Sequence, residues 1–170
     1  MNILDDEYLH IKNNTLDGID TCGLLKIKLR VRCNGDAAQV LDRAKEVMLT
    51  LLSCTKGKCF QYIKWTNALP SWFVQCCGRE LSSDELEEYL SKWRLLSPEE
   101  QEKMENEQDW SLDDWLYWLE PEQRTWYWWS SNRLNDDLFE LVIVVRDWPT
   151  AIGSLEWLLK ASGANDVALV

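Results

Sequence analysis

Lys26-Ile27-Lys28-Leu29-Arg30-Val31-Arg32 alternates strictly, with Ile27, Leu29 and Val31 pointing one way and four cations the other, the pattern of a strand covered on one face. Asn34-Gly35-Asp36 supplies a turn, after which Val40, Leu41, Ala44, Val47, Met48, Leu51 and Leu52 recur at i, i+3, i+4, i+7 spacing. That spacing predicts an amphipathic helix lying on the sheet. Residues 59–65 and 71–77 are short, aromatic and β-prone, with Asn67-Ala68-Leu69-Pro70 between them, and are expected as two strands or one bent strand.

Three serine-led helix starts follow. Ser82 with Glu85 and Ser97 with Glu100 form capping-box patterns, the second with Pro98 at the first helical position, and Ser111 precedes Leu112, Trp115, Leu116 and Leu119. The first helix carries Leu86, Tyr89, Leu90 and Trp93 in one stripe; the second, residues 99–109, is almost wholly polar and is expected to project into solvent. Beyond Pro121, residues 125–130 are expected as a strand that folds back at Asn135-Asp136-Asp137 onto residues 138–146. There Phe139, Leu141, Ile143 and Val145 take one face and Val142 and Val144 the other, so this strand has to be central and covered on both sides. The tryptophan-bearing helical stretch is the expected cover of the second face. A helix over residues 150–162, capped by Thr150 and stopped by Gly163, and a strand over 166–170 complete the pattern. Residues 1–23 show little periodicity, with turns at Asn13-Asn14 and Asp17-Gly18, and are expected as a loosely held leader.

Val31-Arg32 followed by Ala37, Leu41 and Asp42 is matched at identical spacing by Val145-Arg146 followed by Ala151, Leu155 and Glu156. Two β-α units of like dimensions, the second closing in a strand, are what a duplicated βαβ sheet shows. In fold terms the chain resembles a ferredoxin-like βαββαβ sandwich: an α+β class with a split, mostly antiparallel sheet, here interrupted by a helical insertion at about 80–120. Many unrelated functions share that architecture. One domain over residues 1–170 suits the length, since domains run to about 100–200 residues.

Charge is unevenly spread under a net charge of −11: residues 21–64 hold nine Lys or Arg against three Asp or Glu, whereas residues 80–122 hold three against fifteen. The cationic row Lys26, Lys28, Arg30 and Arg32 is therefore expected to dock on or near the acidic insertion. Net acidity argues against nucleic acid as a partner, because phosphates call for clustered cations. Nothing approaches the run of roughly 18 apolar residues that spans a membrane, and the acidic opening is unlike a signal peptide, so a cytoplasmic location without membrane contact is expected. In that setting Cys22, Cys33, Cys54, Cys59, Cys76 and Cys77 are expected as free thiols.

Eleven tryptophans are the unusual feature, concentrated between Trp110 and Trp129. On a strand Trp126 and Trp128 point one way and Tyr127 and Trp129 the other. Packing alone accounts for them as an aromatic joint between insertion and sheet. The functional alternative is a pocket or partner-anchoring patch built from Trp115, Trp118, Trp126, Tyr127, Trp128 and Trp129 with Arg124 and Arg133 as its polar rim, since partner sites favour Trp, Tyr and Arg. Arg146-Asp147-Trp148-Pro149-Thr150 reads as a structural corner, with Trp148 a secondary candidate for contact with a small effector.

Catalytic chemistry finds little material. His10 is the single histidine, Cys54-x4-Cys59 is too loose for a zinc knuckle, and no glycine-rich phosphate loop is present. Asp113-Asp114, Glu99-Glu100 and Asp136-Asp137 are explained by helix starts and turns. No catalytic residue, metal or cofactor is expected. The function expected is a non-catalytic protein-interaction or regulatory domain whose acidic helical arm steers a basic protein partner, an inhibitor of a basic toxin being one version. The rival is a small-molecule sensor or enzyme with a Trp-lined pocket between sheet and insertion; a homo-oligomer is compatible with both.

Overall fold

A computed structural model describes residues 3–14, 21 and 23–170. The chain opens with helix α1 (Ile3–Asn13), followed by strand β1 (Leu25–Arg32) and helix α2 (Ala37–Thr55). The alternation of β1 becomes burial of Leu29 and Val31 on one side, and the 3.6-residue stripe of α2 becomes burial of Val40, Leu41, Ala44, Val47, Met48, Leu51 and Leu52. A turn of 3-10 helix at Phe60–Tyr62 and two short helices, α3 (Trp65–Ala68) and α4 (Ser71–Cys76), lead to α5 (Ser83–Arg94), α6 (Pro98–Glu107) and α7 (Leu112–Leu119). The hairpin β2 (Trp126–Arg133) and β3 (Leu138–Val145), helix α8 (Gly153–Ser162) and strand β4 (Asp166–Leu169) follow.

The protein is thus mixed helix and strand, with one four-stranded antiparallel sheet in the order β2-β3-β1-β4. β1 runs against β3 from Leu25↔Val145 to Arg32↔Leu138, so both β-α units share one sheet. Phe139, Leu141, Ile143 and Val145 face α2 and α8 in the main core, none of them exposed. The sequence echo between the units is not an equality of elements: α2 has 19 residues and α8 has 10, and Ala151 precedes α8 whereas Ala37 begins α2.

Several expectations are corrected. Residues 59–65 and 71–77 form no strand; Trp65 and Phe73 are buried against the helical core, and Pro70 stands directly before α4. Short aromatic runs carry a β signal only when a sheet edge is there to receive them, since that propensity reports packing on a pleated surface. α8 starts at Gly153 with Ile152 before it, so Thr150 caps nothing. The Trp148-Pro149 peptide is cis.

The start of the chain is no loose leader where it is described. α1 buries Glu7, His10 and Ile11 and lies along the outer edge of β2. Glu7 Oε1 accepts the Trp128 N–H at 2.7 Å, and Asn14 Oδ1 accepts the Ser131 N–H at 3.0 Å. An edge strand presents unpaired backbone donors that invite foreign strands, and a covering helix removes that hazard. The Asp17-Gly18 turn and Cys22 lie outside the described residues.

The second face of β3 is covered, but not by the helical insertion. Tyr127, Trp129 and Val144 form a small separate cluster with Leu24 and Val142, and the His10 ring lies 4.0 Å from that of Trp129. A bulge between Trp128 and Ser130 inserts Trp129 as the extra residue, and two large rings fill this face themselves. α7 joins the opposite side, among α4 and α8. Nor does the cationic row meet the acidic insertion: Lys28 and Arg30 reach Glu140 on neighbouring β3 at 3.6 and 3.1 Å. A cross-strand neighbour stands about 5 Å away in any sheet and meets the cation without further ordering of the chain. No helix among the described residues is long and apolar enough to cross a membrane.

Candidate functional site

Most of the tryptophans singled out from sequence hold the fold together. Trp115, Trp126 and Trp128 are fully buried. Trp115 Nε1 donates to the Ser154 carbonyl at 3.0 Å and Trp126 Nε1 to Ser154 Oγ at 2.9 Å, so one residue at the start of α8 receives indoles from both α7 and β2. Arg124, expected as a polar rim, is buried: its Nη2 donates to Glu7 Oε1 at 2.7 Å and to the Trp126 carbonyl at 2.9 Å, and its guanidinium lies 4.9 Å from the ring centres of Trp126 and Tyr127. Trp129 and Tyr127 belong to the second-face cluster. Arg133 is exposed at 3.8 Å from Asp136, and Trp148 is exposed at its corner. Trp126, Tyr127, Trp128 and Trp129 are all buried within this chain, as a packed aromatic joint.

Trp118 has an edge on a concavity. A cleft of about 520 Å³ opens between α5, α6 and α7, with Trp110, Tyr117 and Trp118 on one wall and Leu81, Leu86 and Tyr89 on the other. The serines read as caps position these helices: Ser82, Ser97 and Ser111 accept backbone N–H groups three residues on, and Ser97 and Glu100 complete a reciprocal box. The arm is clipped at its root, where the Gly78 N–H donates to the Trp110 carbonyl at 2.8 Å and Gly78 pairs as a parallel bridge with Ser111. At its far end Trp93 Nε1 donates to Glu105 Oε1 at 3.0 Å, and Gln101 donates to the Trp93 carbonyl at 2.9 Å, tying α5 to α6.

No residue of α5 is buried, despite an apolar stripe of Leu86, Tyr89, Leu90 and Trp93. An amphipathic helix of that kind ordinarily lays its stripe on a core. Here Leu81, Leu86 and Tyr117 expose 37%, 47% and 48% of their surface around the cleft mouth. The stripe was legible in the sequence as an apolar face; Leu81 and Tyr117 carried no signal, because exposure of a single apolar residue is decided by its neighbours.

The cleft is acidic. Glu80, Glu105, Asp109 and Asp114 line it, and its one cation, Arg79, is held by Glu85 through bonds of 2.9 and 2.7 Å. That pair keeps the Glu85 carboxyl down at about 2, with the Ser82 hydroxyl assisting. The Glu80 carboxyl moves the other way: the hydrogen bond that it donates to Asp113 when protonated, the Asp113 charge, partial desolvation and then the Asp114 charge push it up. Burial, with Glu105 nearby, also raises the Tyr89 hydroxyl. Asp109 has Lys160 at 3.9 Å, but Glu80, Glu105 and Asp114 form no salt bridge among the described residues, so cations supplied from outside would find carboxylates without counter-charge.

Cys33, Cys54, Cys59, Cys76 and Cys77 are free thiols. Burial pushes the Cys77 thiol up to about 11, which leaves it protonated and a poor nucleophile at neutral pH. Among the described residues no group of three or more His, Cys, Asp or Glu could hold a metal ion. Comparison with family models, curated proteins and solved structures finds no match to this chain.

Proposed function

We propose that this chain is a non-catalytic, cytoplasmic protein-interaction module whose helices α5–α7 grip a positively charged, partly apolar segment of a protein partner. One observation carries the reading: no residue of α5 is fully buried by its own chain, and Leu86 and Tyr89 of its apolar stripe line an acidic, aromatic-walled cleft. Aliphatic stems of Lys and Arg lie well against aromatic rings while their heads reach carboxylates, so such a cleft suits a basic segment better than a neutral one. The acidic surroundings speed encounter with a basic protein. The free thiols accord with a reducing compartment.

The scaffold in this reading is a ferredoxin-like split β-α-β sandwich. The interleaving of the two β-α units supports it, with β3 between β1 and β2 and β1 between β3 and β4. A Trp-lined ligand pocket between sheet and insertion gains no support from a joint that Trp115, Trp126 and Trp128 fill.

Calorimetric titration with synthetic peptides tests the function. Peptides combining Lys or Arg with Leu are expected to bind, matched acidic peptides are not, and Glu80→Gln with Leu86→Ser is expected to weaken binding about fivefold, the scale of losing one partly exposed ion pair with its apolar contact. Equal binding of basic and acidic peptides would sink the reading.

A further inference from the structure

A second hollow lies directly behind the wall of the cleft. It is a trench of about 510 Å³ between α6, α8 and the loop entering β4, and Glu105, Gln108 and Trp110 line both hollows. A single aromatic ridge therefore separates them. Trp110 packs closely on the start of α8: a Cβ at residue 153 would lie 3.0 Å from Trp110 Cζ2, a contact from which the indole would have to give by a few tenths of an ångström.

The trench repeats the charge pattern of the cleft. Glu102, Glu105, Glu156 and Asp166 line it against one cation, Lys160. Lys160 is already engaged, 3.9 Å from Asp109, 3.4 Å from the Asn106 carbonyl and 5.5 Å from the Trp157 ring centre. Burial and the charge of Glu102 together push the Glu156 carboxyl up, as carboxylates crowded without a free cation do. Each hollow thus pairs an indole wall with carboxylates whose only resident cation is occupied.

Resting on the function proposed above, we propose that the partner segment straddles Trp110 and seats two positively charged side chains, one in the α5–α7 cleft and one in the α6–α8 trench. Two anchors joined by a short stretch of chain bind as a linked pair, the first raising the effective concentration of the second. The ridge sets the spacing. A segment with one cation, or with two placed too close to span Trp110, occupies one hollow and leaves the other empty.

The test titrates the full chain with peptides carrying one Lys or Arg, or two at graded separations. At the right separation the two-cation peptide is expected to bind about tenfold tighter than any one-cation peptide. Glu102→Gln with Glu156→Gln is expected to erase that advantage and leave one-cation peptides unchanged, whereas Glu80→Gln with Leu86→Ser weakens both. If no separation brings an advantage, or if the trench variant keeps it, the straddling inference is overturned while the cleft reading stands. If one-cation peptides bind the native and Glu80→Gln/Leu86→Ser proteins alike, or no cationic peptide binds, the cleft reading falls and the inference with it.

Discussion

The Glu7 carboxylate and the Arg124 guanidinium meet at 2.7 Å with both side chains closed off from solvent, joining α1 to the segment that enters β2. The same Glu7 oxygen accepts the Trp128 N–H, so one carboxylate serves a buried cation and an edge strand together. Glu7 Oε2 and Arg124 Nη1 find no hydrogen-bond partner among the described residues. Removing one partner strands a buried charge, and Glu7→Ala is expected to cost about 3–5 kcal/mol in urea unfolding. Replacing both, as Glu7→Leu with Arg124→Met, is expected to cost clearly less than the two single changes summed; additive losses would show that the pair is not coupled.

Ser154 receives two indole N–H groups, one on its carbonyl and one on its hydroxyl. Ser154→Ala removes only the second acceptor and leaves Trp126 Nε1 buried and unpaired. A loss of about 1–3 kcal/mol is expected from a thermal or urea melt. In an additional Trp126→Phe background, where no N–H is left to satisfy, Ser154→Ala is expected to be nearly neutral.

Two carboxyls at the root of the arm should titrate in opposite directions. Glu85 lies well below the ordinary value of 4.5, so its contribution to stability is present above that value and is lost as pH falls through about 2. Glu80 is raised by Asp113, so the folded chain holds that proton more tightly than the unfolded one; the stabilisation is present in acid and fades as pH rises through the raised value. Carbon-detected NMR titration should show Glu80 dropping in Asp113→Asn and Glu85 rising in Arg79→Met.

Gly78 pins the arm where it leaves the body. A Cβ there would stand 2.9 Å from the Asp109 carbonyl oxygen, a backbone atom with little room to yield. Gly78→Ala is expected to cost about 1–3 kcal/mol. Amide exchange is expected to quicken in α5 and α6 before β1 and β3; uniform quickening would mean that the arm and the sheet open as one unit.

Thiol reactivity should follow exposure. Cys59 and Cys76 are exposed, Cys33 is buried with its thiol raised by burial and nearby Asp137, and Cys77 is raised further. Iodoacetamide at neutral pH is expected to label Cys59 and Cys76 first, as read by mass spectrometry, with Cys33 and Cys77 protected until the chain unfolds.

β1, α2, β3 and the serine-capped starts of α5, α6 and α7 were legible because each rests on local sterics: a two-residue or 3.6-residue repeat, or a hydroxyl within reach of an N–H three residues on. Residues 59–77 were misread because aromatic side chains suit a strand or a helix wall equally, and a sheet with β2 and β4 at its edges had no place for them. The candidate site was misplaced for a related reason. Trp126 and Leu86 look alike in a sequence, apolar residues at the expected period, yet one is wholly buried and the other nearly half exposed.

Local repeat and capping chemistry are properties of a few adjacent residues, so the amino-acid order alone determined where most of the strands and helices lie and which side of each is apolar. Which apolar sides meet was decided by tertiary structure: α7 turned Trp115 to Ser154 of α8, α1 closed the β2 edge through Glu7, and no residue of α5 was fully buried. Burial belongs to pairs of surfaces brought together from distant parts of the chain, and no single stretch of residues records whether its partner is present.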